Sequence, residues 1–149
     1  LSPADGKIVQ IIHVEDEEMG SARQISIFLS IFNIHSQRVP ISGKVISKQY
    51  NPGIFLIAFN HKASMDNEHT AVLFETENGK RYKIKQIAGF IARRILNYME
   101  PGNMVQRGQR LGFIRFGSRV DIILPRDFQI DVSLGDMVQG NKTIIGQFQ

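Results

Sequence analysis

The sequence predicts a mainly β fold, an antiparallel sandwich or flattened barrel with one or two short helices. Short segments of alternating or clustered apolar residues recur along the chain, and turn-forming residues separate them at intervals of roughly 6–12 residues. With 149 residues, of which 42% are apolar and 21% charged, the chain has the size and composition of one ordinary globular domain. We therefore expect a single domain spanning residues 1–149.

Six segments predict strands because they are rich in β-branched and aromatic residues and end at turn residues. They are residues 7–14, 24–32, 44–50, 54–59, 70–76 and 81–87. Asn78-Gly79 joins the last two and predicts a hairpin with a type I′ turn. Residues 89–99 carry apolar side chains at helical spacing and predict the main helix, and residues 61–66 are the candidate for a second helical turn.

A short motif occurs twice near the C terminus. Gly102-Asn-Met-Val-Gln106 is matched by Gly135-Asp-Met-Val-Gln139, and each copy is followed by a glycine and then by an aliphatic residue with another glycine. This pattern is typical of a turn, a short strand, a second turn and a second strand. Two copies favour a symmetric architecture like the barrel-sandwich folds of carrier domains.

Composition excludes several kinds of site. The chain has no cysteine, so disulfides, thiolate metal sites and a cysteine nucleophile are absent. The longest apolar run, residues 25–34, is half the length of about 20 residues that a membrane-spanning helix needs, and it predicts a buried strand. The chain begins with Leu1 and enters strand-like sequence at once. We therefore expect it to be a piece of a longer protein whose upstream segment carries any membrane anchor.

Positive charge is concentrated in one stretch. Residues 80–126 hold eleven Lys or Arg against Glu100 and Asp121, while the whole chain has a net charge of only +4. A basic segment of this kind indicates an anionic partner, either nucleic acid or an anionic membrane surface. A solvated basic face explains the charge equally well, so charge alone leaves the three interpretations open.

Two interpretations fit the dipeptide Gly117-Ser118, which lies between two apolar strand-like runs. A glycine within a strand pattern usually marks a β-bulge, here with a surface serine after it. Alternatively, the Ser118 hydroxyl attacks the carbonyl of Gly117 and the chain cuts itself at this bond. Gly117 is compatible with such a strained turn, because it has no side chain to obstruct the attack.

A hydroxyl nucleophile needs a base to take its proton, and the base needs an acceptor that orients it. His35 and Asp5 are the candidates for these two roles, and both lie in polar loop segments. The residues alone leave structural roles open as well. An aspartate in a turn commonly bonds to nearby backbone, and a lone loop histidine is commonly a surface residue.

Five segments occur in an order that characterises one enzyme family. They are Ser2-Pro-Ala-Asp-Gly6, Phe32-Asn-Ile-His-Ser-Gln-Arg-Val-Pro40 with Gly43-Lys-Val45, Asn67-Glu68, Ile87-Ala-Gly-Phe-Ile-Ala-Arg-Arg94 and Arg115-Phe-Gly-Ser-Arg-Val-Asp121. Over essentially its whole length the chain resembles the phosphatidylserine decarboxylases, most closely their short bacterial and archaeal type.

The resemblance implies an enzyme that makes its own pyruvoyl cofactor. Ser118 would attack Gly117 to form an ester, and β-elimination followed by hydrolysis would leave a pyruvoyl group at position 118 and release ammonia. The implied products are a β chain of residues 1–117 and an α chain of residues 118–149, which stay together as a heterodimer. His35 would deprotonate Ser118, with Asp5 holding the imidazole in the required tautomer.

The resemblance also implies the reaction and its setting. The amine of phosphatidylserine would form a Schiff base with the pyruvoyl group, CO₂ would leave, and His35 would return a proton before phosphatidylethanolamine is released. No metal or soluble cofactor and no nucleic acid is implied. The enzyme would lie peripherally on the cytoplasmic side of the cell membrane, where Arg93 and Arg94 either contact anionic headgroups or are plain helix-surface charges.

The alternatives to the decarboxylase are a carrier module and a nucleic-acid-binding domain. A non-catalytic carrier module would need a modifiable lysine at a hairpin tip, but residues 113–134 between the repeated motifs contain none. A basic nucleic-acid-binding β domain would need exposed aromatic rings for base stacking, whereas most phenylalanines here lie within apolar runs and are predicted to be core.

Overall fold

The computed structural model describes residues 1–29, 36–52, 68–89, 95–114 and 117–149, and these residues form thirteen strands. The strands are β1 (Gly6–Asp16), β2 (Gly20–Phe28), β3 (Ser36–Arg38), β4 (Gly43–Asn51), β5 (His69–Thr76), β6 (Arg81–Ile87), β7 (Ile95–Asn97), β8 (Met104–Val105), β9 (Arg110–Ile114), β10 (Arg119–Pro125), β11 (Gln129–Ile130), β12 (Met137–Val138) and β13 (Gly146–Gln147). The predicted mainly β fold is confirmed.

One large sheet dominates the architecture. Its eight strands run in the order β12-β1-β2-β10-β6-β5-β4-β8, every pair is antiparallel, and the sheet curls into a half barrel. A three-stranded sheet, β3-β9-β7, and the pair β11-β13 complete the described part. The described residues contain no helix long and apolar enough to cross a membrane.

Strand β10 lies at the centre of the large sheet and is buried on both faces. Val120, Ile122 and Leu124 project into the main apolar core together with side chains such as Ile25 of β2. The alternate residues of β10 lie on the other face, because successive side chains of a strand point to opposite sides. This second face is also buried at β10 but carries charge, at Asp121 among others.

An ion cluster around the buried Lys83 lies on the second face. The ammonium group of Lys83 is 2.8 Å from one carboxylate oxygen each of Asp16 and Glu18, and Ser47 donates a 2.7 Å hydrogen bond to Glu18. Burial opposes ionisation of Asp16, but its hydrogen bonds and the charge of Lys83 outweigh this effect and lower its pKa. The pKa of Glu18 is also lowered, and that of Lys83 is raised by its two carboxylate partners despite burial.

The structure corrects two local predictions. The β5–β6 hairpin does not use a type I′ turn, because Gly79 has a φ of 79° whereas Asn78 does not adopt a positive φ. Its turn has Glu77 and Asn78 at the centre, followed by Gly79 in the left-handed conformation, as in three-residue hairpin loops. The helix predicted over residues 89–99 is wrong where the structure describes it, since Ile95–Asn97 is the strand β7.

The reason for the second correction is pairing. Strand β7 hydrogen-bonds to β9, with Ile95 opposite Ile114 and Leu96 opposite Phe113, so its backbone is satisfied by a ladder rather than by a helix. The strand predicted over 24–32 is observed from Gly20 to Phe28. The strand predicted over 54–59 and the helical turn over 61–66 lie outside the described residues.

The repeated motif produces a repeated structure. Val138 of β12 lies opposite Gly6, and Val105 of β8 lies opposite Gly43. The turns before these two strands also match: Gly135 N–H donates to Ile8 O at 2.8 Å, as Gly102 N–H does to Val45 O at 2.8 Å. The chain therefore has two corresponding segments, residues 2–8 (SPADGKI) and residues 39–45 (VPISGKV), each paired with one copy of the motif.

Candidate functional site

Gly117 and Ser118 form a β-bulge at the start of β10. Both residues face the single residue Leu29: Gly117 N–H donates to Leu29 O at 2.7 Å, and Leu29 N–H donates to Ser118 O at 3.0 Å. Gly117 has a φ of 79°, the left-handed conformation that places glycine first in this type of bulge. The predicted bulge is confirmed, but the serine is not on the surface, since Ser118 is completely buried.

The bulge gives the bond between residues 117 and 118 an unusual environment. Two residues occupy the space of one, so the peptide group between them stands outside the regular ladder to Leu29. Among the described residues, and apart from the two sequence neighbours, no atom lies within 4 Å of the position that a Gly117 side chain would take. The structure therefore combines a buried serine and a left-handed glycine at the same peptide bond.

Asp5 lies in the turn that precedes β1. One of its carboxylate oxygens accepts a 2.6 Å hydrogen bond from Gly140 N–H, and the side chain is half-buried. The residue lines a cavity of about 340 Å³ whose other walls include Ser36, Arg38 and Lys142. Asp5 thus belongs to a turn and also lines a polar cavity.

Strand β3 lies beside the Asp5 turn. Arg38 N–H donates to Pro3 O at 2.8 Å, and Ser36 lies opposite Phe113 of β9, whose strand leads along the chain toward Gly117. His35 itself lies outside the described residues, but the next residue of the chain, Ser36, lines the same cavity as Asp5. The described residues do not test the predicted contacts of His35 with Ser118 and Asp5.

The internal repeat shows what is particular about Asp5. Its counterpart in the corresponding segment, residues 39–45, is Ser42, whose hydroxyl accepts a 2.8 Å hydrogen bond from Arg107 N–H in the matching loop. A single oxygen is therefore enough for the structural role in the turn. Asp5 fulfils that role with one oxygen and carries a second oxygen and a negative charge in addition.

A second functional candidate, the pair Arg119 and Asp121, was not recognised from the sequence. The Arg119 guanidinium contacts both carboxylate oxygens of Asp121, at 2.9 Å and 3.2 Å, and both side chains are buried. Complete burial raises the pKa of Asp121, and the nearby Arg119, Ser26 and Lys85 offset only part of that effect. Opposite charges two residues apart on one strand were the available signal, because such residues share a face.

Two further points concern the arginines predicted near the membrane and the groups of residues that could bind a metal. Arg93 and Arg94 lie outside the described residues. Within the part of the chain that the structure describes, no group of three or more His, Asp or Glu residues is arranged to hold a metal ion.

Comparison with known proteins identifies relatives over the whole chain. The sequence model of the family described as phosphatidylserine decarboxylase matches residues 1–146. A protein of Nitrosomonas eutropha is 45% identical over 150 residues, which cover 100% of this chain and 69% of the relative. A protein of Desulfotalea psychrophila is 45% identical, covering 99% and 70%, and one of Burkholderia cenocepacia is 47% identical, covering 100% and 70%. Each is named phosphatidylserine decarboxylase proenzyme, and no solved structure matches.

Proposed function

The chain belongs to the phosphatidylserine decarboxylase family, and we propose that it converts phosphatidylserine to phosphatidylethanolamine and CO₂ after cutting itself between Gly117 and Ser118. The observation that carries the proposal is the bulge, in which a completely buried serine follows a left-handed glycine. In a surface loop the same hydroxyl would be exposed to water, whereas Ser118 is completely shielded from it.

The self-cleavage is written as an acyl shift followed by an elimination. Ser118 Oγ bonds to the carbonyl carbon of Gly117, the bond from that carbon to the Ser118 nitrogen breaks, and the proton of the hydroxyl passes to the nitrogen. Loss of the Ser118 α-proton then expels the Gly117 carboxylate and leaves a dehydroalanine at position 118. Water hydrolyses this group to a pyruvoyl carbonyl and ammonia, so atoms and electrons balance without an oxidant.

We assign the proton transfers to His35 and Asp5. An imidazole accepts the hydroxyl proton if its other nitrogen donates to a fixed acceptor, which sets the tautomer. Asp5 is suited to be that acceptor, because Gly140 N–H fixes one of its oxygens and the residue lines the same cavity as Ser36. The same His35 would return a proton to the substrate carbon after CO₂ has left.

The fold keeps the two products together. After cleavage the new chain begins at residue 118 and continues into β10, which pairs with β2 on one side and β6 on the other. The ladder bond from Leu29 N–H to the carbonyl of residue 118 does not involve the broken bond. The new terminus therefore stays in register at the centre of the sheet. The bound pyruvoyl group supplies the electron sink for decarboxylation.

We further propose a peripheral position on an anionic membrane surface. The basic segment supports this, although not all of its charge is available: Lys83 is buried against two carboxylates and Arg119 against Asp121. The remaining cations of residues 80–126, with Arg93 and Arg94 among them, are the candidates for headgroup contact, and each cation near such a surface contributes about 1 kcal/mol.

Release of CO₂ from phosphatidylserine vesicles tests the activity. We expect the wild-type protein to release it without added metal or soluble cofactor, and to lose activity after treatment with a carbonyl reagent such as phenylhydrazine. Ser118→Ala should be inactive under all conditions. Full activity of Ser118→Ala, or of phenylhydrazine-treated wild type, would contradict the proposal.

A further inference from the structure

Gly89 lies directly against the carbonyl of the bond that is cut. This buried residue follows β6, and a β-carbon added to it would lie 2.1 Å from the Gly117 carbonyl oxygen and 2.8 Å from the carbonyl carbon. Nonbonded carbon and oxygen atoms do not approach so closely. The position therefore accepts only glycine as long as the Gly117 carbonyl stays where it is.

The need for glycine at position 89 concerns space and not backbone conformation. Gly89 does not adopt a positive φ, so an L-residue would suit its backbone. The residues before it are fixed: Ala88 N–H donates to Glu68 O at 2.9 Å, and Ile87 lies opposite Arg119 in the ladder. These contacts hold the backbone at Gly89 in place, and the carbonyl of Gly117 packs against it.

A second bulge, at Gly79-Lys80 in the β5–β6 hairpin, has no such close neighbour among the described residues. Gly79 and Lys80 repeat the bulge geometry, but Gly79 is exposed and faces a surface cavity of about 310 Å³ lined by Pro125, Arg126 and Asp127. The close approach of a neighbouring glycine therefore distinguishes the Gly117 bulge from the Gly79 bulge.

We infer that Gly89 is a positioning residue for self-cleavage, a role that rests on the proposed function. Contact between its Cα–H and the Gly117 oxygen holds the carbonyl group in one orientation, as such contacts do between neighbouring strands. A fixed carbonyl presents its carbon to Ser118 Oγ, and small losses of alignment between reacting groups are costly in rate. Gly89 does not itself react.

The test is the rate of chain cleavage in Gly89→Ala, with Gly112→Ala as the matched control. Gly112 makes a comparable approach, since a β-carbon there would lie 2.2 Å from the carbonyl oxygen of Leu96, but it lies in β9 against β7 and not against the Gly117 carbonyl. Each protein is made by cell-free synthesis and followed by pulse–chase at a fixed interval below its own unfolding temperature. We expect cleavage of Gly89→Ala to be slower by about 10²-fold, and that of Gly112→Ala to match wild type.

A spectroscopic readout separates positioning from loss of stability. In the uncleavable Ser118→Ala chain, residues 117 and 118 form the sequence's only Gly-Ala pair. Labelling glycine with ¹³C at the carbonyl and alanine with ¹⁵N therefore selects the Gly117 carbonyl in an NMR spectrum. We expect its resonance to shift when Gly89→Ala is added and to stay in place when Gly112→Ala is added.

The outcomes are distinct. If wild type is not cleaved, the proposed function itself fails. If wild type is cleaved, and Gly89→Ala is cleaved at the same rate or slowed no more than Gly112→Ala, only the role of Gly89 is overturned. Should Gly89→Ala not fold, Ala88→Gly is the second variant, because it makes the backbone at residues 88–89 more flexible without adding atoms near the Gly117 carbonyl. Slower chain cleavage in Ala88→Gly supports the role of Gly89, and cleavage at the wild-type rate refutes it.

Discussion

The two bulges of the molecule have nearly the same backbone but different surroundings. Gly117 N–H and Ser118 O pair with Leu29 at 2.7 and 3.0 Å, and Gly79 N–H and Lys80 O pair with Thr76 at 3.0 and 2.8 Å. Both glycines have a φ of 79°. The first bulge holds a buried serine, whereas the second holds a half-buried lysine at an exposed hairpin. The fold thus supplies the bulge twice, and the two copies differ in the side chain that follows the glycine and in its burial.

The same contrast holds for the turns before β1 and β4. Asp5 and Ser42 each accept one backbone N–H from a corresponding loop, so each stabilises its turn. Only Asp5 has a charge and a second oxygen to offer to another residue. Stabilising the turn therefore does not by itself require an aspartate at position 5, since the serine at position 42 makes the same kind of hydrogen bond.

The largest expected effect is at the serine. Ser118→Ala should abolish chain cleavage and all decarboxylase activity, because one residue supplies both the nucleophilic hydroxyl and the α-carbon that becomes the catalytic carbonyl. Lys80→Ser places a hydroxyl in the second bulge, and we expect no cut between residues 79 and 80, since that bulge is exposed and lacks the neighbouring glycine. Gel electrophoresis detects either cut, and cleavage of Lys80→Ser at Gly79 would show that the bulge alone is sufficient.

Asp5→Asn should have the next largest effect. It keeps an oxygen for Gly140 N–H but loses the charge that would orient an imidazole, so we expect cleavage to slow by about 10²- to 10⁴-fold with little loss of stability. Ser42→Ala, the matched change, should leave cleavage at the wild-type rate and lower the free energy of unfolding by about 1 kcal/mol. Equal cleavage rates for the two variants would assign Asp5 a purely structural role.

Lys83→Met tests the ion cluster that Lys83 forms with Asp16 and Glu18. Lys83 and Asp16 form a pair whose side chains are both buried, so removing Lys83 leaves the Asp16 charge uncompensated, and we expect a loss of about 3–5 kcal/mol in the free energy of unfolding. Denaturant titration measures it. A loss below about 1 kcal/mol, the range of exposed pairs, would show that the cluster is solvated.

The same cluster predicts how stability depends on pH. Because the folded-state pKa values of Asp16 and Glu18 are lowered, their contribution is present above the unfolded-state values of about 4 and is lost as the pH falls through the folded-state values. Asp121 acts in the opposite sense, since its raised pKa means that its contribution is lost as the pH rises. Lys83→Met should therefore flatten the loss of stability in acid, and an unchanged acid profile would contradict this assignment.

Gly79→Ala should have the smallest effect. Apart from the sequence neighbours, no atom of the residues that the structure describes lies within 4 Å of the added β-carbon, so the expected cost is that of the left-handed backbone, about 1–2 kcal/mol. Thermal unfolding measures this cost, and cleavage at Gly117 should proceed at the wild-type rate. A cleavage defect in this variant would show that the two bulges are coupled.

The sequence predicted much of this arrangement because the relevant signals are local. Alternating apolar residues predicted most of the described strands, and a glycine within a strand pattern predicted the bulge at Gly117. The Gly-x-Met-Val motif predicted the repeat, although it did not identify the matching N-terminal segments. Their likeness is in backbone pairing and not in the side chains at Asp5 and Ser42.

Long-range contacts explain what was missed. The apolar spacing of residues 89–99 fits a helix, but the ladder to β9 makes Ile95–Asn97 a strand. The need for glycine at position 89 arises from a residue 28 positions later in the chain, so local patterns hold no sign of it. The contacts of Asp121 likewise come from the two strands that flank β10, since Ser26 of β2 and Lys85 of β6 lie opposite it.

Intact-mass spectrometry of the purified protein tests the central claim most directly. The account predicts two polypeptides, one ending at Gly117 and one comprising residues 118–149, the second lighter than its serine-terminated form by one ammonia. Ser118→Ala should give a single uncut chain. A single uncut wild-type chain, or a second polypeptide that still begins with serine, would contradict the account.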